Sequence, residues 1–320
     1  MSNRAKVTAY KGRAAAVRRY QLFHAIRRHP ALYWMVLPGI VYYILFKYVP
    51  MLGIVIAFQD FNVYKGIFGS EFVGFQQFEI LFSSKDFYRL LTNTLVINFY
   101  DLLIGFTSPI VLALLLNEVS QMMFKRTIQS LLYLPHFLSW VVIGGLVTSQ
   151  LLSPTTGLIN QIIVELGGTP IYFLVENAFI RSVVVAAGIY KEVGWGTIIY
   201  LAALAGVNPS LYEAASIDGA GRFRQVFSIT LPTIMPVVSV LFLMKIGHFL
   251  DFGFDRVWVF MNGANQGKID IFDTYVYRVG LTQGLYSYAT AIGLFKAIVG
   301  LILVLFFNHW SKKTTGEGLY

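Results

Sequence analysis

Apolar positions run in long blocks along this chain, and polar positions gather between them. Six blocks stay apolar long enough to cross a bilayer: about 32–58, 91–116, 127–152, 181–207, 231–250 and 286–307. Each meets the ~20 residues that a ~30 Å hydrocarbon core requires at ~1.5 Å rise per residue. Lys47 and Pro50 interrupt the first block. Pro135 sits inside the third, where it predicts a kink and a freed carbonyl near His136, Ser139 and Trp140. The pattern predicts an all-α, polytopic membrane protein with six spans in one transmembrane domain. Two of the intervening segments, 59–90 and 251–285, are rich in Phe, Tyr and Trp. They are expected to form short interfacial helices and a cap over the bundle, with an aromatic belt at the headgroups as the alternative.

Composition supports a membrane solvent. The chain of 320 residues is 56% hydrophobic and 13% charged, against about 25% charged for an ordinary soluble domain. So few charges cannot cover a water-facing surface. The absence of cysteine removes disulfides and thiolate metal sites. The five histidines (His24, His29, His136, His248 and His309) show no paired metal spacing, so no metal site is expected. The stretch "GANQGK" at 263–268 has three residues between its glycines where a P-loop needs four. If nucleotide drives this protein, another chain binds it.

Charge placement sets the expected topology. The formal net charge is +9, and residues 1–31 hold eight Lys/Arg and no acid. This stretch reads as a basic juxtamembrane arm attracted to anionic lipid headgroups, not as a nucleic-acid tail or a cleavable signal. Val17, Leu22 and Ile26 give it an amphipathic face that ends at Pro30. The arm, 117–126, 208–230 and the tail after His309 carry 14 basic and 4 acidic residues, while 59–90, 153–181 and 251–285 carry 7 and 10. The positive-inside rule puts both termini and 208–230 in the cytoplasm.

The segment 208–230 is a compact polar insert between two apolar blocks. Asn208 is a good N-cap and Pro209 suits the first helical turn. Leu211, Ala214 and Ala215 share a helical face, with Glu213 near the favourable N-terminal end. Gly219 and Gly221 break that helix, and Phe223, Val226 and Phe227 begin another. The spacing predicts helix, turn, helix lying along the membrane face.

The stretch "EAASIDGAGRFRQVFSITLP", Glu213 to Pro232, resembles the EAA motif of ATP-binding-cassette importer permeases. The anchors are Glu213-Ala214-Ala215, Gly219 and Ile229-x-Leu231-Pro232. "FVGFQQFEIL" from Phe72, "LLYLPHFLSWVV" from Leu131 and "TTGLIN" from Thr155 resemble the branch that carries complex oligosaccharides. The resemblance covers most of 30–310 and implies a type I importer transmembrane domain over 32–309. Residues 1–31 and 310–320 would be a cytoplasmic arm and tail. It implies a multi-pass protein of the bacterial cell membrane that forms half of a translocation pathway, most simply as a heterodimer with a second permease subunit. Two ATP-binding subunits would hold ATP-Mg and an extracytoplasmic solute-binding protein would deliver an oligosaccharide. The chain itself would carry no cofactor and no catalytic residue. Leu211, Glu213, Ala214, Ala215, Gly219 and Phe223 would contact the ATPase. Three other readings stay open on the sequence: an importer of a non-sugar solute, an ion-driven secondary transporter, and a membrane sensor that uses the insert for docking.

Polar residues inside the spans supply the pathway candidates. A charge at the bilayer centre costs about 2.5–3.5 kcal/mol on insertion scales, so Lys47, Asp101, Lys191, Glu192, Lys245 and Lys296 must snorkel, pair or line a wet cavity. "YKEVGW" contributes Tyr190, Lys191, Glu192 and Trp195. Asn98 and Asp101 on the second block, His136 and Trp140 at the third-block bend, and Lys245 and Asp251 around the fifth complete the set, beside Asn93 and His248. Each serves equally well as an interhelical hydrogen bond. Lys296 is expected to pair with Asp101 or Glu192. Ala289, Gly293 and Ala297 read as a close-packing stripe. The four span lysines outnumber the two span acids, which fits a carboxylate-bearing cargo such as a uronate oligosaccharide.

Overall fold

The computed structural model describes Arg28 and residues 30–315. The basic arm with its amphipathic face, and the end of the tail, lie outside the described residues. Among the described residues, five helical segments are long and apolar enough to cross a membrane: Pro30–Phe58, Lys85–Glu118, Ile180–Ala205, Arg222–Gly247 and Tyr286–Lys313. Met122–Phe137 and Trp140–Leu151 form a sixth only as a pair bent by 102°. In chain order these are the first to sixth spans, the bent pair being third.

The kink expected at Pro135 is thus a full break. Leu134–Phe137 tightens into a 3₁₀ turn, and Leu138 and Ser139 leave the helical region. Proline has no N–H to continue the ladder. The chain restarts because Ser139 Oγ accepts the Val142 N–H at 3.3 Å, an N-cap. The second span begins at Lys85, several residues before the apolar block, because Ser84 Oγ accepts the Phe87 N–H at 3.0 Å. The fifth begins at Arg222, so it starts inside the polar insert.

The segment 251–285 is the cap, and it belongs to the core. Phe252, Val257, Phe260, Ile269, Ile271 and Phe272 are buried in it. The first five pack on Ile97, Ile143, Val184 and neighbouring side chains of the second, third and fourth spans. Phe272 joins a second cluster with Phe87, Leu90 and Ile292. A belt at the headgroups would leave such rings exposed. The first aromatic segment differs from the expectation. Gln59–Asp60 and Glu71–Phe72 pair as an antiparallel ladder, with Gln59 opposite Phe72 and Asp60 opposite Glu71. Its tip leaves Tyr64 and Phe68 exposed.

The fourth span is the hub. It packs on the second, third and fifth spans and on the cap. Gly194 allows the closest approach: a Cβ there would land on the Leu132 carbonyl oxygen of the third span. Alanine normally favours a helix over glycine by roughly 0.5–1 kcal/mol. Here the clash with backbone dominates, and overpacking costs about 1–3 kcal/mol. Gly194→Ala is therefore expected to lower the melting temperature of the purified protein, measured by thermal unfolding in detergent. An unchanged or raised melting temperature would show that this crossing has slack.

Candidate functional site

Four sets of charged groups buried in the bundle and its cap stand out among the described residues. The first surrounds Asp101, which opens a π-turn at Asp101–Gly105 of the second span and is 4% exposed. Arg256 Nη2 of the cap donates to Asp101 Oδ1 at 2.7 Å, and Lys245 Nζ of the fifth span donates to Oδ2 at 2.5 Å. Arg256 also donates to the Val184 and Val185 carbonyls at 3.4 and 3.2 Å. Its guanidinium lies 3.9 Å from the Phe252 ring centroid. It occupies the space where a side chain at residue 188 would stand, which is why glycine is found there.

The second set lies at the third-span break. Lys191 Nζ donates to the His136 and Leu138 carbonyls at 2.5 and 2.8 Å. It thereby satisfies carbonyls that the broken helix leaves without partners. Glu192 turns the other way. A carboxylate only accepts, so His136 Nδ1 carries the proton it shares with Glu192 Oε2 at 2.8 Å. Lys191 Nζ lies 3.8 Å from Oε1 of the same carboxylate. Trp195 does not stack on a cation. Its indole lies flat on the His136 ring, 4.4 Å between centroids and 3° between planes.

A cavity of about 390 Å³ opens between the second, fourth and fifth spans. Glu192, Trp195, Tyr200, Lys245 and His248 carry its functional groups, and Phe106, Ile199 and Leu241 are among its apolar walls. Tyr190 is turned away from it. That ring lines a separate cavity of about 420 Å³ with Val147, Leu151 and Phe179, among whose lining residues Ser182 and Tyr190 alone carry side-chain polar groups. Two residues along a helix are separated by about 200° of rotation at ~3.6 residues per turn, which splits "YKEVGW" between two cavities. Asn98 is buried and donates to the Thr94 carbonyl at 2.9 Å, within its own helix. Trp140 lies beneath the cations, with its ring centroid 5.8 Å from Lys191 Nζ and 5.9 Å from the Arg256 guanidinium carbon.

The third and fourth sets fasten the cap. Lys296 of the sixth span pairs with Asp251 and Asp273, not with Asp101 or Glu192 as the sequence reading expected. The acids reach it because the cap folds back over the sixth span. Asp270 is fully buried, accepting from Arg278 Nη2 at 2.6 Å and from Thr274 Oγ1 at 2.8 Å. Asn93 Nδ2 donates to the Asp270 carbonyl at 3.0 Å, and Arg181 Nη2 donates to Asn93 Oδ1 at 2.6 Å. Burial pushes the Tyr275 hydroxyl above the usual phenol range, so it stays a neutral donor to Asp86 at 3.4 Å. Arg256, Asp270 and Asp273 lay outside the sequence candidates. Their signal is an acid or an arginine embedded among aromatic residues in "DFGFDRVWVF" and "IDIFDTYVY", a pattern that a solvated loop seldom shows.

The polar insert forms the local structure its sequence predicts. Asn208 Oδ1 accepts the Ser210 N–H at 3.0 Å, capping the helix Pro209–Ile217. Gly219 has φ of +75°, and the Ala220 N–H closes back on the Ala215 carbonyl at 2.8 Å. Such a left-handed C-terminal residue is where glycine is favoured. Tyr212 and Thr230 hydroxyls meet at 2.9 Å and tie the helix to the fifth span. Leu211, Glu213 and Ala214 are exposed and Ala215 is half-buried. Ile217 and Phe223 stand almost fully out of the chain, 87% and 84% exposed. Lys47 is exposed on the first span, and His248 Nδ1 rests 3.1 Å from the Met244 carbonyl.

A family model for binding-protein-dependent transport system inner membrane components matches residues 105–315. Among curated proteins, the polygalacturonan/rhamnogalacturonan transport system permease protein YteP of Bacillus subtilis (strain 168) is 50% identical over 303 residues, covering 95% of this chain and 94% of that one. Protein LplB of the same organism is 48% identical over 296 residues, covering 92% and 93%. Among solved structures, a chain of a bacterial alginate ABC transporter in complex with an alginate pentasaccharide-bound periplasmic protein superposes with a TM-score of 0.86. It is 39% identical, and the match covers 93% of this chain and 100% of that one.

Proposed function

The chain belongs to the family of binding-protein-dependent transport system inner membrane components, and from that premise we propose that it lines half of the path of an ATP-driven oligosaccharide importer in the bacterial cell membrane. One observation carries the coupling part of this reading. An otherwise apolar bundle projects a capped nine-residue helix, Pro209–Ile217, whose turn leaves Ile217 and Phe223 in water. Exposed apolar anchors beside a rigid turn are what a docking lever needs. On this reading 208–230 and both termini face the cytoplasm. The lever is held by one of two ATP-binding subunits, which carry the ATP-Mg. Leu211, Glu213, Ala214, Ala215, Gly219 and Phe223 form the contact.

The chemistry of transport is positional. The chain is a transport subunit, and hydrolysis belongs to the partner ATPases. A second, different permease subunit completes the path, and an extracytoplasmic solute-binding protein hands over the sugar above the cap. The cavity of Glu192, Trp195, Lys245 and His248 supplies an aromatic face for a ring and charged or imidazole partners for hydroxyls. Sugar cargo is supported by the relatives, since YteP is named for polygalacturonan and rhamnogalacturonan and the structural neighbour for alginate. An ion-driven transporter has no use for an exposed apolar lever, and a non-sugar solute does not fit those relatives.

Reconstitution tests the proposal. With its sister permease and ATPases in liposomes, oligosaccharide-loaded binding protein is expected to raise ATP hydrolysis several-fold and to drive sugar into the lumen. Uptake that continues without ATPases, or that an ionophore abolishes while ATP is present, would overturn it.

A further inference from the structure

We infer that the Lys245–Asp101 ion pair is the coupling latch of this subunit, a bond that holds the fifth span to the second and that each stroke of the lever must open. The inference rests on the importer reading and deepens it, by naming the residue through which the lever acts on the bundle. It starts from how the lever is mounted. The helix Pro209–Ile217 and the fifth span Arg222–Gly247 flank one short turn. Three hydrogen bonds bolt them together: Tyr212 with Thr230 at 2.9 Å, and Gln225 Nε2 to Ser216 Oγ at 2.9 Å and to the Ala220 carbonyl at 3.0 Å. The turn therefore cannot absorb a push, and the fifth span moves with the lever as one rod. Lys245 lies near the far end of that rod, about 35 Å from Arg222 at ~1.5 Å rise per residue.

The far end of the rod touches two neighbours in different ways. Gly247 presses its carbonyl on the sixth span, where a Cβ at residue 300 would stand 2.7 Å from that oxygen. Two positions earlier, Lys245 faces the second span and donates to Asp101 Oδ2 at 2.5 Å. Toward the lever, the second, fourth and fifth spans meet in an apolar cluster of Ala113, Tyr200, Leu204 and Ile234. Toward Lys245 they part around the cavity of about 390 Å³. The ion pair crosses that gap, with Phe106 and Phe242 beside it at 5.6 Å between ring centroids. Apolar packing is non-directional. An ion pair is either made or broken, and such a two-state element is what coupling between distant sites requires.

The pair is built to open. Asp101 also holds Arg256 Nη2 at 2.7 Å, and that side chain is 9% exposed and anchored on two carbonyls of the fourth span. The Lys245 side chain is 42% exposed. When the rod withdraws Lys245, the buried acid stays compensated by Arg256, and the half-exposed ammonium already opens to the cavity. Breaking the Arg256 half would instead strand a buried guanidinium. The triad thus has a fixed half, joining second span, cap and fourth span, and a releasable half on the rod. A bond present in one arrangement and absent from the other biases the equilibrium toward the first. Lys245 therefore keeps the importer at rest until binding protein and nucleotide act together.

The test uses the full importer in liposomes, with an oligogalacturonide that its binding protein is first shown to hold. Wild type, Lys245→Met and Lys245→Arg are compared by ATP hydrolysis with and without loaded binding protein, by sugar moved per ATP, by KM and by melting temperature. Lys245→Met is expected to raise hydrolysis without binding protein about fivefold, the low end of a typical allosteric coupling, and to lower sugar moved per ATP by a similar factor. Lys245→Arg, which still reaches Asp101, is expected to keep both near wild type. If hydrolysis without binding protein stays at or below the wild-type rate in Lys245→Met, the latch is overturned and the importer reading stands. A lowered melting temperature would then mark Lys245 as structural, and a raised KM as a contact of the cargo. A second variant checks the motion itself. The chain has no cysteine, so Phe106→Cys/Phe242→Cys can be joined across the gap by a cleavable bismaleimide. The joined complex is expected to lose uptake and cargo-stimulated hydrolysis and to regain both on cleavage, and uptake that survives the cross-link would overturn the latch. If wild type shows no ATP-driven uptake, the importer reading falls, and this inference with it.

Discussion

Asp101→Leu is expected to destabilise the bundle by about 3–5 kcal/mol, the range for removing one partner of a buried ion pair. The cost comes from what is left behind. Arg256 is enclosed by Phe252, Trp140 and the fourth span, with its guanidinium packed against Gly188. Burial lowers its pKa from the ordinary arginine value and the Asp101 carboxylate works against that shift. Without Asp101 the hydrogen-bond acceptors left to it among the described residues are the Val184 and Val185 carbonyls, which carry no full charge. Arg256→Met should cost less, because Asp101 keeps Lys245. The double variant Asp101→Leu/Arg256→Met should recover much of the single loss, since an apolar pair of similar volume removes both desolvation penalties. Thermal unfolding of the four proteins in detergent checks the cycle. Strictly additive losses would show that the two residues do not act as a pair.

The same triad shows what was legible in advance. Spans, insert and caps are local features, written in apolar run length and in residues such as Asn208 and Gly219; the insert and its cap appear where the pattern places them, while the third span breaks after Pro135 and the second and fifth helices begin earlier than their apolar blocks. Asp101 and Lys245 were visible as charges too costly to face lipid. Their meeting was not, because they lie 144 residues apart, and Arg256 lies 155 residues from Asp101. Nothing local encodes that the 251–285 segment folds back into the core. That single fact reassigns Lys296 to Asp251 and Asp273 and brings Arg256 in as the principal partner of Asp101. The strand pair at Gln59–Asp60 and Glu71–Phe72 escaped for a related reason: two residues per strand show no alternation to detect. Tyr190 and Trp195 looked like one motif, yet helical rotation sends them into different cavities.

Ile217→Asp combined with Phe223→Asp is expected to release the ATPase while the bundle stays folded. Both side chains are almost fully exposed and touch little of their own chain, so charging them leaves the core and the Tyr212–Thr230 tie in place. Buried aromatic and aliphatic anchors at an interface are worth about 2 kcal/mol or more each. At about 1.4 kcal/mol per decade, two such losses weaken binding by roughly a thousandfold. Gly219→Val acts on the same lever by another route. Its φ of +75° is a left-handed conformation that costs an ordinary L-residue about 1–2 kcal/mol, and more for a β-branched one. The turn must then reopen, swinging Phe223 away from the Pro209–Ile217 helix. A loosened lever can still bind but cannot push, so Gly219→Val should copurify with ATPase yet lose uptake at least tenfold. Copurification, ATP hydrolysis and uptake, measured side by side, separate these outcomes. If the double aspartate variant kept its ATPase and its uptake, the lever would lie elsewhere on the chain.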